Sequence, residues 1–426
     1  MPLDSRFRLT SAQESADFLV AIGMQFACPG APSAEFLSAA QIVLQRWVTL
    51  GLPYAQTPDG EKLFDPIELR NFAKRADLYF GDPFWREAMA QSSKRLVLEH
   101  HFPGEDWRGA LPAAPPVAGL LKPRRFQLRL ARWFNPAYVP QADTARLRLP
   151  APIEDAALSN LHVKLIEPAS DRILRQTRGP GRLEVVVSSS GDLRVCAEYE
   201  FTVRPSPVPA VAPQITAPER ELWLNGQEGY IRLTPRILAL AAGLAAGETD
   251  PWRVVRRFWM HIHDVVTIGI LRYADIDVAA PLDWLLGHGI ADCNLSASLL
   301  VALCRASGIP ARMTSGFPLF PAMPTYHYWA EIWFEDAGWT PFDTFGFDLI
   351  RRGEDSPWRD LFWGQIDYRA KVECLPRVFA GHSPLRIPPH WHIRVAKIDG
   401  GSQMRLENSL TAEPVFIDNI ACISLD

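Results

Sequence analysis

Three successive parts of an α+β protein are what this sequence predicts, and three observations predict them. Two Pro-rich stretches, 111–123 and 204–218, show no hydrophobic period and read as linkers. Between them lie short runs of alternating apolar and polar residues, the pattern of a β-sandwich. Outside them, Asp or Thr followed by Pro marks helix starts, and strand-like runs rich in aromatic and β-branched residues come only after residue 311. At 426 residues the chain exceeds what one core usually holds. The expected boundaries are 1–118 for a helical domain, 119–212 for the sandwich, and 213–426 for a mixed domain with a β extension at its end.

In the first domain Ser33-Ala34-Glu35-Phe36 opens one helical pattern. Asp65-Pro66 and Asp82-Pro83 each combine an N-cap with Pro at the first helical position. The sandwich strands are FQLRLARWF, ARLRLPAP, LHVKLIEP, RLEVVVSSSG and LRVCAEYEFTV. The third domain begins with two helices, Thr234-Pro235 to Gly247 and Asp250-Pro251 to about Val265, each with a cap and a Pro. A Leu/Ala-rich buried helix then runs from Asn294 to Ala306 and stops at Gly308, with Cys293 in its first turn. Strands follow at Ala311–Ser315, Tyr328–Phe334 and Trp339–Asp343, the last two joined by a turn at Ala337-Gly338. The runs within 388–425 either extend this sheet or form a small β unit of their own.

Cys293, His327 and Asp343 carry the chemistry. A thiol attacks a carbonyl as thiolate, so it needs an imidazole to hold its proton and gains from a helix N-terminus, whose dipole favours negative charge. His327 sits on an alternating strand with Trp329 and Glu331 on the same face. Asp343 ends the neighbouring strand, where a carboxylate can fix the imidazole tautomer and stabilise imidazolium. Taken singly, each residue has a plainer reading: a cysteine on an apolar helix is a small core residue, a strand histidine packs, and an aspartate near a turn caps it.

The ordered motifs C-x-x-x-A followed by ALCRASGIPAR, then H-x-W-x-E, then GW-x-x-x-D, are separated by 34 and 16 residues between their reactive members. They resemble the transglutaminase-like (papain-like cysteine) superfamily of the bacterial core type, over roughly 215–370. The resemblance implies a papain-like catalytic domain with Cys293 as nucleophile, His327 as base and Asp343 as orienting acid. It further implies acyl transfer through a Cys293 thioester. Members include amine-accepting acyltransferases, amide-forming enzymes, and peptidases or amidases, so the implied substrate is a peptide, amide or acyl thioester, with or without an amine acceptor. An acyltransferase is the preferred reading here; a hydrolase, or an inactive scaffold on the same fold, is the alternative. Where relatives often place Gly beside the cysteine, this chain has Asp292 and Asn294. The Cys293 N–H is one expected oxyanion donor, and Trp284 is the nearest counterpart of the tryptophan that supplies a second in eukaryotic transglutaminases. Phe317, Phe320 and Met323, in the apolar Pro-rich loop before His327, are expected to meet an apolar part of the substrate, as is Trp329.

A net charge of −4 with interspersed signs offers no footprint for nucleic acid or an anionic membrane. With no signal peptide and no long apolar run, the expected compartment is the cytoplasm. Six scattered cysteines suit reduced thiols. His261 and His263 face different sides of a helix, and His390 and His392 lack a third ligand, so neither a metal nor another cofactor is expected.

Overall fold

The computed structural model of the chain describes residues 9–25, 40–49, 52–66, 111–114, 122–179, 181–205, 214–268, 276–320, 324–344, 362–375, 391–408 and 411–426, with isolated positions between them. In the N-terminal region α1 (Ala12–Gln25) packs on α2 (Ala40–Thr49). Pro66 opens a helical turn after Asp65, as its motif requires. Phe36 and Asp82-Pro83 lie outside the described residues. Val97 and Leu98 of this region enter the core of the third domain.

The sandwich contains β1 (Arg124–Phe134), β2 (Thr144–Pro150), β3 (Leu158–Glu167), β4 (Ile173–Gly179), β5 (Arg182–Ser188) and β6 (Arg194–Val203). Each expected run forms a strand because its alternate residues go inward: Phe126, Leu128 and Leu130 on β1, and Leu183, Val185 and Val187 on β5, are buried. Strand β4 was not expected. Nearly every side chain of ILRQTRG is exposed, so no alternation marks it in the sequence.

The third domain corrects the expected boundaries. Strands β11 (Trp391–Ile398), β12 (Gly401–Asn408) and β13 (Pro414–Ser424) neither extend its sheet nor stand alone. They join the sandwich in an antiparallel sheet of order β11-β12-β13-β1-β6-β3, opposite a second sheet β2-β5-β4. Strand β13 pairs with β1 from Phe416↔Phe134 to Ser424↔Phe126 and sends Ile420 and Cys422 into the sandwich core. The sandwich is therefore built from both sides of the intervening domain, and 213–426 is not one unit.

Within that domain α4 (Pro235–Ala245) and α5 (Pro251–Val265) follow a short α3 (Ala217–Leu222). The Thr234 and Asp250 side chains accept N–H groups of Ile237 and Trp252, the caps their sequences announce. After α6 (Pro281–His288) comes α7 (Cys293–Ala306), buried along its whole length from Asn294 to Arg305. Helix α7 packs on an antiparallel sheet of order β9-β8-β7-β10, where β7 is Ala311–Pro318, β8 His327–Phe334, β9 Gly338–Phe342 and β10 Arg369–Leu375. Among the described residues no helix is long and apolar enough to cross a membrane.

The sheet is shared property of two cores. Ala330, Ile332 and Phe334 point into the helical core, while Phe317, Leu319, Tyr368, Ala370 and Val372 belong to the sandwich core. Charges close the same seam: Glu331 meets Arg312 at 2.6 Å and Lys371 at 2.7 Å, and Lys371 reaches Asp155 of the sandwich at 3.0 Å.

Candidate active site

Helix α7 begins at the nucleophile candidate itself. Asp292 is the N-cap, its Oδ1 accepting the Leu295 N–H at 2.9 Å, so Cys293 occupies the first helical position. The residue that departs from the Gly of relatives thus has a definite task. Ser296, one turn on, shares a 2.7 Å hydrogen bond with Thr344, which ties the helix start to the segment carrying Asp343.

The sulfur lies where strand β8 begins, served by the backbone N–H groups of Tyr328 and Asn294. Burial pushes the Cys293 thiol well above the ordinary cysteine value, and the Asp292 carboxylate adds to the rise. That direction runs against the thiolate expected at a helix N-terminus. The capping carboxylate takes one of the free N–H groups and sets a negative charge beside the sulfur, which offsets the dipole.

His327 and Asp343 come together as the spacing of β8 and β9 demands. His327 starts β8; β9 runs antiparallel beside it, with Ala330 opposite Phe342, and Asp343 follows directly. The His327 Nε2 to Asp343 Oδ2 distance is 2.8 Å, with His327 6% and Asp343 0% exposed. A carboxylate at Nε2 fixes the proton there, which makes Nδ1 the basic nitrogen for a thiol.

The other candidates fare differently. Trp329 is buried, with its ring 6.3 Å from the His327 ring at 26°, so it walls the imidazole from behind and offers no substrate surface. Phe317 is fully buried in the sandwich core, 4.8 Å from the Tyr326 ring, and cannot meet a substrate. Strand β7 runs three residues beyond Ser315, and that extension turns Phe317 away from the cleft. Phe320, half-buried just past β7, keeps its candidacy; Met323 lies outside the described residues. Trp284 stacks on His288 at 4.2 Å and packs against the helical core, and none of its described contacts reaches Cys293, His327 or Asp343. His263 is buried edge-on to Trp259 at 4.6 Å and has a packing role. Among the described residues no group of His, Cys, Asp and Glu has a metal-binding arrangement.

Two features were not anticipated. Arg369 Nη1 lies 2.5 Å from Asp343 Oδ2, while its Nε donates to Asp367 Oδ1 at 2.5 Å. Gly316, opposite His327 on β7, leaves no room for a side chain: a Cβ there would fall 2.1 Å from the Ala370 carbonyl oxygen and 2.8 Å from the Trp329 ring. The residue before His327 is anchored as firmly. The Tyr326 hydroxyl donates to Asp418 Oδ2 on β13 at 3.0 Å and accepts from Arg132 on β1 at 3.1 Å.

Residues 238–344 match the profile of the transglutaminase-like superfamily. No curated protein matches the chain. Among solved structures the chain is similar to a candidate cysteine protease from Cytophaga hutchinsonii, at 14% identity and TM-score 0.43, covering 72% of this chain and 92% of that one. It is also similar to the periplasmic domain of TgpA from Pseudomonas aeruginosa, at 18% identity and TM-score 0.32, covering 55% and 92%.

Proposed function

Residues 238–344 of this chain belong to the transglutaminase-like superfamily, and from that premise we propose that the protein is a cysteine-dependent acyltransferase working through a Cys293 thioester. One observation carries the reading: a buried imidazole is held at Nε2 by Asp343 at 2.8 Å, beside a helix start whose cysteine sulfur is served by two backbone N–H groups. The Cys293 sulfur attacks the carbonyl carbon of an amide or thioester while His327 Nδ1 takes the thiol proton. The tetrahedral oxyanion is met by backbone N–H groups at the helix start. As the intermediate collapses, the bond to the leaving amine or thiol breaks and His327 returns the proton to that group. An amine then attacks the thioester, His327 takes the amine's proton, and the new amide leaves as the thiol is restored. Transfer to an amine is the preferred outcome, and the choice between amine and water turns on how well the cleft keeps water from the thioester.

Intact mass spectrometry after incubation with a panel of acyl thioesters and short peptides tests this. One acyl group should appear on the wild-type chain and none on Cys293→Ala, and a labelled primary amine should discharge it with formation of a labelled amide. His327→Ala should acylate at least about 10³-fold more slowly. Retention of more than about a tenth of the rate, under about 1.4 kcal/mol, would remove His327 from the mechanism. Discharge to the free acid with no dependence on amine would replace the transferase by a hydrolase.

A further inference from the structure

We propose that Asp367 and Arg369 extend the site into a buried cluster with His327 and Asp343 that reaches charge balance when His327 holds the thiol's proton; their part in catalysis rests on the acyl-transfer reading above. The four side chains are buried together, with His327 6%, Asp343 0%, Asp367 0% and Arg369 5% exposed. Arg369 bridges the two carboxylates at 2.5 Å each, so it holds Asp343 in place while Asp343 holds the imidazole. The guanidinium lies 5.4 Å from the centre of the Trp329 ring and 5.8 Å from that of Phe362, which favours the cation and keeps water from screening it.

Simple charge arithmetic gives the arrangement its meaning. Two carboxylates and one guanidinium sum to −1 beside a neutral imidazole, and to zero beside imidazolium. A purely structural ion pair would need only one carboxylate. Instead the Asp367 Oδ2 is buried without a hydrogen-bond partner among the described residues, a costly placement. Burial raises the Asp367 carboxyl above the ordinary value while Arg369 opposes it, and the charges of Asp343 and His327 both act upon it. Among the described residues the other ionisable groups near this point include Cys293, Asp292 at the start of α7, and Tyr328 on β8. During attack the thiol's proton passes to His327, and Asp367 supplies the negative charge that Arg369 removes from Asp343's influence. Asp367 and Arg369 are positioning residues, since both act through His327 and Asp343.

Ring-¹⁵N NMR titration of the histidines tests the cluster without any substrate, the His327 signal among the ten being identified by its loss in His327→Gln. Asp367→Asn keeps an acceptor for Arg369 and brings the sum to zero, so the His327 midpoint should fall by about one pH unit or more relative to wild type. Arg369→Gln brings the sum to −2 and should move it upward by a similar amount. The double variant restores −1 and should return it to the wild-type position. If Arg369→Gln does not fold, Asp367→Asn and the double variant decide. Midpoints that stay fixed, or that all move the same way, would overturn the proposal, since loss of mere structural support gives no sign reversal. If the midpoints move as stated and Cys293 takes no acyl group, acyl transfer fails and the cluster stands. If Cys293 acylates and the midpoints are fixed, the cluster alone fails.

Discussion

Strand β8 has two faces of equal burial held by different physics. Ala330, Ile332 and Phe334 point into the helices and are fastened by apolar contact alone. His327, Trp329 and Glu331 point the other way, into a layer where Arg369, Arg312 and Lys371 meet Asp343 and Glu331. Burial on the first face is stabilising outright, at about 25 cal/mol per Å² of apolar surface. On the second face each charge has lost its water and is compensated only while every partner is present. A replacement of similar volume should be tolerated on the first face, whereas removing one partner on the second leaves another charge stranded. His327 sits on the face with the greater cost and the narrower geometry, which is where fixed charge can steer a proton.

The largest expected effect breaks the charged face. Glu331→Gln leaves Arg312 without its carboxylate and Lys371 with Asp155 alone, and should destabilise the protein by about 3–5 kcal/mol in a urea titration. Burial opposes ionisation of Glu331, but Lys371 and Arg312 outweigh it and hold the carboxylate at about 2, below the ordinary 4.5. Its contribution is whole above about pH 4.5 and fades as pH falls toward 2, because the unfolded chain binds the proton first. Thermal unfolding of the wild type between pH 5 and pH 2 should show that loss, and Glu331→Gln should flatten this part of the curve. Ile332→Ala sharpens the comparison from the apolar side: a loss of about 2–5 kcal/mol, with the acid dependence of wild type retained. Altered acid dependence in this variant would mean that the two faces are not independent. The smallest effect is expected at the helix start, where Ser296→Ala removes the 2.7 Å bond to Thr344. About 1 kcal/mol should be lost in the same titration, with Cys293 still able to acylate.

Much of this site was legible because its motifs lie on elements with strong local signals. Alternation placed His327 and Trp329 on one face, the Gly338 turn returned the chain to Asp343, and Gly308 ended the cysteine helix. Non-local pairings were not legible. Nothing in residues 391–424 says that β13 will lie against β1, some 290 residues earlier in the chain. Phe317 was misread because one further turn of alternation, extending β7 to Pro318, decides which side of the sheet it enters. Asp367-Tyr368-Arg369 carries no motif. Its importance comes from alternation across the seam, Tyr368 entering the sandwich core and Arg369 the site, and that requires knowing that β10 pairs with β7.

The Tyr326 anchor has a consequence in the order of biosynthesis. Cys293, His327 and Asp343 all leave the ribosome before Asp418, the residue that accepts the hydroxyl hydrogen bond beside His327. Until β13 is made, β11 and β12 have no edge to join, β1 lacks one neighbour, and the tyrosine next to His327 lacks its acceptor. A nascent chain can therefore display Cys293, His327 and Asp343 while the frame around them is still missing, and the growing protein carries its candidate residues well before it carries a finished site.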